Sequence, residues 1–427
     1  MGLECLRPVF AAVVVAVCLA AGQSTAAGQG AEADRVIGGV PLPGDVAPAS
    51  ADTSPFAGVW VGSWGGVRNA ILVVEAVEGP QARVVYALAD APDGRLKAAW
   101  YRLDATLEEN RLIVRGQGFT STYTLTATGR LRSVFSGGGY GLLTRARLAE
   151  ISRPGAEIAW NAGETLRLPT ALTEDGAAVH LETILYRPAG PGPFPLAVIS
   201  HGSTGSGRDP ERFGRSWVHP WFAERLAERG WLVAFPQRRG RGASDGLYDE
   251  GFGTDRARGY TCEAGRTLAG AERALADLDA AIAALRARDD VRPGPVLLAG
   301  QSRGGALSVA YAGRYPDRVL GVVNFVGGWL GQGCRTADAV NGSLFARGGD
   351  FRRPMLWIYG EDDPFYSLDH SRRNHRAFRE AGGKGRFHAF AFSGESSGHW
   401  AMWHPEAWHA LLDTYLAEIA RPGARTR

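Results

Sequence analysis

The residues best suited to do chemistry lie in the run Gly300-Gln301-Ser302-Arg303-Gly304-Gly305, which contains the pattern Gly-x-Ser-x-Gly. It falls between the continuous apolar run Val296 to Ala299 and the helix-like segment Ala306 to Arg314. A serine between a strand and a helix must occupy a sharp turn with its hydroxyl exposed, and the flanking glycines let the two elements pass closely. Five-residue matches arise by chance in a chain with 58 glycines, so the strand before and the helix after carry the weight. A serine hydroxyl is a weak nucleophile until a base takes its proton, and that base needs an acid to orient it. Both residue types follow. The apolar run Met355 to Tyr359 ends in Gly360-Glu361-Asp362-Asp363-Pro364, which sets acids at the C-terminal end of a strand, where α/β sheets build their sites. His399 follows the strand-like Phe387 to Phe392 and precedes a helix that begins near Pro405. His404 and His409 lie on or near that helix, and His388 lies within the strand, so packing or surface roles suit all three.

In this order of serine, acid and histidine the chain resembles the α/β-hydrolase superfamily. A Gly-x-x-Asp turn supplies the acid in that superfamily, which implies Asp363, with Asp362 as the alternative. The same resemblance puts the histidine on the loop holding Gly394-Glu395-Ser396-Ser397-Gly398-His399. An oxyanion hole needs two backbone donors aimed at the developing charge. One is the amide of Arg303. The other comes from the loop after an early strand, Leu196 to Gly205, whose His201-Gly202 resembles the superfamily's His-Gly oxyanion motif and implies the amide of Ser203, with Thr204 next. His201 reads as a residue that shapes this loop. Arg238-Arg239-Gly240-Arg241-Gly242-Ala243-Ser244 resembles the Arg-Gly-x-Gly-x-Ser segment of many members and reads as a floor of local hydrogen bonds.

From about Ala178 to Ala420 the chain is most similar to the dienelactone-hydrolase and acetyl-esterase-like group. It departs from the former at the nucleophile, which is Ser302 here and cysteine there, so the resemblance implies simple ester hydrolysis rather than lactone chemistry. The expected activity is that of a serine carboxylic ester hydrolase. A secreted serine peptidase of prolyl oligopeptidase-like type is the alternative, although about 100 residues of β structure cannot make that group's propeller. A binding protein on an inactive hydrolase scaffold is a second alternative. Trp217, Trp221 and Trp400, with Trp329 and Trp403 near other loops, suggest an aromatic-lined cleft for a small-molecule or carbohydrate ester. No metal or organic cofactor is implied.

A chain of 427 residues calls for two domains plus some non-globular sequence. Its composition is globular, with 45% hydrophobic and 21% charged residues, and a net charge of +3 supports neither nucleic-acid nor membrane-surface binding. Arg7, then an apolar run of about 13 residues from Val9 to Ala21, then Ser24-Thr25-Ala26, read as a signal peptide over 1–26; the run is short of the ~20 residues that span a bilayer. The protein is therefore expected to be secreted or periplasmic. Cys262 and Cys334 are the cysteines outside that segment and are expected to pair as a disulfide. Residues 27–54, rich in Ala, Gly and Pro, read as a linker.

Residues 55–150 hold eight short β-type runs: Val59 to Trp64, Ile71 to Val77, Arg83 to Ala89, Trp100 to Leu107, Leu112 to Arg115, Thr122 to Thr126, Leu131 to Phe135 and Leu142 to Leu148. With turn residues such as Asp93-Gly94 between them, they predict a small antiparallel barrel or sandwich. Gly58-Val59-Trp60 resembles the opening Gly-x-Trp of lipocalin-like barrels, and Trp60 and Trp64 read as core aromatics. Over 156–421 strand-like and helix-like segments alternate, which predicts an α/β-hydrolase fold, a mostly parallel sheet with helices on both faces.

Overall fold

The computed structural model describes residues 35–92, 94–392 and 398–420. The expected signal peptide, the first part of the expected linker, Asp93 and residues 394–397 of the histidine loop lie outside them. The chain forms two compact units. Among the described residues, one takes those up to 164 together with 219–228, and the other takes 165–218 and those from 229 onward.

The first unit opens with a hairpin of β1 (Arg35–Ile37) and β2 (Val40–Leu42). Eight strands follow: β3 (Gly58–Trp64), β4 (Arg68–Glu78), β5 (Gln81–Leu88), β6 (Ala99–Glu108), β7 (Arg111–Gly116), β8 (Phe119–Leu125), β9 (Leu131–Phe135) and β10 (Tyr140–Ala146). Each pairs with the next and β10 closes onto β3, so the expected β domain is a closed barrel. Side chains alternate across the wall with the strand period of two. Trp60, Leu72, Val84, Tyr123 and Leu143 fill the interior, as small barrels require. Trp60 donates its indole N–H to Phe56 O at 2.8 Å, and Arg145 lies over its ring at 4.2 Å, so it is a core aromatic.

The outer faces of β3 to β5 are apolar too, through Val59, Val61, Ile71, Val73 and Val85, and need a cover. The hairpin supplies it with Ile37, Val40 and Leu42, joined by Ile151 of the short helix α1 (Leu148–Ile151). The linker expectation is corrected here, because Val40 and Leu42 are fully buried. Three-residue strands are too short to show a period, and the tight turn at Gly38-Gly39, with φ of 56° and 82°, reads in sequence as linker glycine. The residues 219–228 contribute α2 (Pro220–Ala227) to this unit. Its buried Glu224 meets Arg130 at 3.0 Å and Thr128, and Glu228 just after it meets Arg132 at 2.8 Å. The unbroken 156–421 domain expected from sequence is thus interrupted by a segment that packs with the barrel.

The second unit is built in chain order from β11 (Glu164–Glu174), β12 (Ala177–Tyr186), β13 (Leu196–Ser200), β14 (Leu232–Pro236), α3 (Ala264–Arg286), β15 (Val296–Gln301), α4 (Arg303–Arg314), β16 (Val319–Phe325), α5 (Ala337–Ala346), β17 (Pro354–Gly360), α6 (Leu368–Glu380), β18 (Lys384–Phe390) and α7 (Pro405–Ile419). The strands form one sheet in the order β11-β12-β14-β13-β15-β16-β17-β18. The last six of these run parallel, and β12 is antiparallel to β14. β13, β14 and β15 are buried along their whole length, which is why they read as unbroken apolar runs.

Cys262 and Cys334 form a disulfide across 72 residues of chain. Loop-closure entropy for such a span corresponds to about 4 kcal/mol, and native disulfides typically contribute about 2–4. Replacing both cysteines with serine is expected to lower the unfolding free energy by that amount in urea titrations. Equal midpoints for variant and wild type would show that the bridge does not constrain the unfolded chain. Among the described residues no helix is long and apolar enough to cross a membrane, and no group of three or more His, Cys, Asp and Glu is placed to hold a metal.

Candidate active site

β15 ends at Gln301 and α4 begins at Arg303, so Ser302 alone makes the turn. Its backbone sits at φ 57°, ψ −121°, a left-handed conformation that costs a non-glycine residue about 1–3 kcal/mol. The surroundings hold it there. Ser302 N donates to Phe325 O at 3.0 Å, and Ser302 O accepts from the amides of Gly305, Ala306 and Gly328 at 3.0, 3.2 and 3.2 Å. The motif glycines are sterically required. A Cβ on Gly300 would lie 2.2 Å from Gly304 C, and one on Gly304 would lie 1.9 Å from Ser200 O.

Asp363 stands just beyond the end of β17 and is buried. Its Oδ1 accepts from the amides of Phe365 and Tyr366 at 2.8 and 3.0 Å, which aims Oδ2 at His399 Nδ1, 2.9 Å away. A carboxylate can only accept, so the proton of the ring belongs on Nδ1 and the lone pair on Nε2. Asp362, the alternative acid, is an exposed turn residue at φ 57°. His399 is the second residue of a short 3-10 stretch, Gly398–Trp403. Gln301 Nε2 donates to its carbonyl at 3.3 Å, and the Phe365 ring lies 4.6 Å from the imidazole. His404 stacks on Phe392 at 4.1 Å and its Nδ1 is 3.0 Å from Glu406, away from this chemistry.

The loop after β13 lies directly against the serine, since a Cβ on Gly202 would approach Ser302 Cβ to 3.2 Å. His201 is buried beneath it. Burial, with the charges of Arg238 and Arg241, holds its pKa well below the ordinary histidine value, so the ring is neutral. Its Nδ1 donates to Gly202 O at 2.8 Å and its Nε2 accepts from Arg238 N at 3.1 Å. The amide of Thr204 donates to the Tyr260 hydroxyl at 3.2 Å and is therefore spent. The amide of Ser203, one residue earlier, makes no hydrogen bond to another described residue. Arg303 begins α4, so its N–H lies ahead of the helix's own ladder. The Arg303 side chain is buried, between the rings of Tyr260 at 3.8 Å and Trp329 at 4.6 Å, and paired with Glu250 at 3.1 Å. In the floor segment Arg239 pairs with buried Asp277 at 2.6 Å and Arg241 donates to Arg215 O at 2.8 Å.

The three tryptophans expected at the substrate separate. Trp400 packs edge-on to His399 at 5.8 Å and to Trp403 at 5.2 Å, and Trp403 meets Trp217 at 6.1 Å, so three half-buried rings make a series of contacts that begins at the histidine. Trp221 is a correction. It is buried in the first unit, donates its indole N–H to Gly141 O at 3.0 Å and packs on Tyr140 at 4.5 Å, which leaves nothing to offer a substrate. Trp329 is likewise core, donating to Thr267 O at 2.9 Å. Sequence reasoning missed Glu250, Tyr260 and Tyr366. The Tyr366 hydroxyl donates to Gly328 O at 2.8 Å and interacts with Ser302, while its ring lies 5.8 Å from His399. Its place three residues after Asp363 was the available signal.

A strained serine at a strand-to-helix turn and an imidazole oriented by a buried carboxylate are residue types that acyl transfer uses. Residues 215–333 match the family described as serine aminopeptidase, S33. No curated protein matches the chain. Among solved structures, a protein of Klebsiella pneumoniae described as a dienelactone hydrolase is 19% identical, with 61% of this chain and 100% of that one covered and a TM-score of 0.40. Est1E of Butyrivibrio proteoclasticus with ferulic acid bound is 16% identical over 58% of this chain and 98% of its own, with a TM-score of 0.41. The esterase Pf2001 of Pyrococcus furiosus is 13% identical over 60% and 90%, with a TM-score of 0.41.

Proposed function

We propose that this chain, an α/β hydrolase by the sheet order of its second unit and the family match over residues 215–333, hydrolyses carboxylic esters through an acyl-serine intermediate. The observation that carries the reading is the elbow serine at φ 57° with the Gly202 loop pressed against it, together with the 2.9 Å pair of His399 and Asp363. Ser302 Oγ attacks the ester carbonyl carbon as His399 Nε2 takes its proton. Asp363 holds the imidazole in the tautomer that can do this and stabilises the imidazolium. The amides of Ser203 and Arg303 receive the oxyanion. The tetrahedral intermediate collapses as His399 gives its proton to the leaving alcohol. Water then enters by the same route, and the carboxylic acid leaves with Ser302 restored.

The contact series of Trp400, Trp403 and Trp217 supports an aromatic or sugar portion on the substrate. Export is proposed as well, on the apolar run Val9 to Ala21 and the Cys262–Cys334 disulfide. A peptidase is the second reading, favoured by the description of the matching family. A panel of p-nitrophenyl esters, acylated sugars and peptidyl anilides separates the two. Turnover of the esters with no cleavage of the anilides is expected. Anilide cleavage exceeding ester cleavage in kcat/KM would transfer the chain to the peptidases.

A further inference from the structure

Two amides can bind an oxyanion only if their separation is fixed, and here they come from different parts of the chain, the loop after β13 and the start of α4. One buried carboxylate touches the supports of both. Glu250 Oε1 accepts from Arg238 Nε at 2.5 Å. The same guanidinium donates to His201 O at 2.9 Å and Gly202 O at 3.2 Å, the carbonyls just before Ser203. Glu250 Oε2 accepts from Arg303 Nη1 at 3.1 Å, and Glu250 O accepts from the same nitrogen at 2.9 Å. Oε2 also accepts from the Tyr248 hydroxyl at 3.0 Å. Tyr248 Oη lies 2.8 Å from Tyr260 Oη, which lies 2.8 Å from Thr204 Oγ1 and accepts from Thr204 N at 3.2 Å. The peptide of Ser203 is thus gripped on both sides, at Gly202 through Arg238 and at Thr204 through Tyr260. Both grips end on the carboxylate that anchors Arg303.

We propose that Glu250 is a positioning residue for the reaction: it locks the amides of Ser203 and Arg303 at the spacing of an oxyanion hole. The assignment rests on the ester-hydrolase reading above. Its charge state fits the task. Burial would raise its pKa, but the guanidinium charges of Arg238 and Arg303 outweigh that and hold it below the ordinary carboxylate range, so it remains an acceptor for every donor around it. Glutamine cannot replace it, because its NH₂ would face a donor on one side or the other. Glu250 is also the one carboxylate found in ion pairs with Arg238 and Arg303 among the described residues, so no neighbour takes over its place.

The test compares Glu250→Gln with Tyr260→Phe, which keeps the ring over Arg303 and removes only the hydroxyl link to Thr204 and Tyr248. The best p-nitrophenyl ester is used as substrate. Two ligands are titrated: an alkyl trifluoromethyl ketone, which forms a tetrahedral alkoxide on the serine, and the matching methyl ketone, which does not. Loss of an oxyanion donor costs ~10²–10³-fold in kcat, so a displaced one is expected to cost ~10²-fold in Glu250→Gln and about 10-fold in Tyr260→Phe, with KM within about threefold. Affinity for the trifluoromethyl ketone should fall by the same factors, and affinity for the methyl ketone should hold. Active wild type with unchanged kcat in both folded variants overturns the assignment. So does a fall in which both ketones lose affinity equally, which a merely structural role would give. If Glu250→Gln does not fold, Tyr260→Phe decides on the same criteria. Wild type that turns over no ester and binds neither ketone overturns the ester-hydrolase reading and this assignment with it.

Discussion

Replacing Ser302 with alanine is expected to lower ester turnover by ~10⁴-fold or more and to abolish labelling by a fluorophosphonate, while the protein stays folded. The size of the effect follows from the removal of the atom that, in the proposed mechanism, bonds to the acyl group. The persistence of the fold follows from the backbone. Ser302 contributes its N–H and C=O to four hydrogen bonds with Phe325, Gly305, Ala306 and Gly328, and alanine keeps all of them. Alanine also bears the same left-handed strain as serine at φ 57°, so the elbow neither gains nor loses from the exchange. Thermal unfolding of the variant should therefore superimpose on that of wild type. Labelled and active Ser302→Ala would remove the serine from the mechanism. Unlabelled wild type that is folded would do the same to the whole enzymatic reading.

What the chain disclosed before its structure depended on how local the physics was. The serine turn was legible because strand, turn and helix are consecutive and the two close approaches demand glycine at Gly300 and Gly304. The eight barrel strands were legible because each is a short run of β-forming residues bounded by turn residues. The β1–β2 hairpin was not, since three-residue strands carry no period and its burial comes from the apolar outside of the barrel. α6 was equally silent, because its buried face is His370, Ser371, Asn374 and Phe378, and only the last is apolar. β11 escaped for the opposite reason, as an edge strand that is mostly exposed along its length. Trp221 was misjudged because nearness in sequence to the Ser203 loop stood in for nearness in space; α2, which carries it, packs with the barrel. Glu250 lies in no motif. Its importance comes from Arg238, Tyr248 and Arg303 converging on it, which only the folded chain displays.

Asp363→Asn is expected to lower kcat by ~10⁴-fold with little change in stability, and the geometry says why the two effects separate. The carboxylate does two tasks with two oxygens. Oδ1 accepts from the amides of Phe365 and Tyr366, and Oδ2 accepts from His399 Nδ1. Asparagine keeps the first task by turning its carbonyl oxygen to the two amides, so the turn after β17 remains satisfied. Its NH₂ then faces His399 Nδ1, which can only accept from it. The ring proton must move to Nε2, the atom that has to take the proton of Ser302, and general-base catalysis stops. Asp363→Ala is a useful contrast. It removes both tasks, leaves two amides without their acceptor at a cost of about 1–3 kcal/mol each, and should lose stability as well as activity. Asp362→Asn, at an exposed turn position, should stay within a few-fold of wild type. Chemical denaturation beside steady-state kinetics on the three variants distinguishes these outcomes. An inactive Asp362→Asn with an active Asp363→Asn would move the acid to Asp362 and require His399 to turn away from the partner that lies 2.9 Å from it.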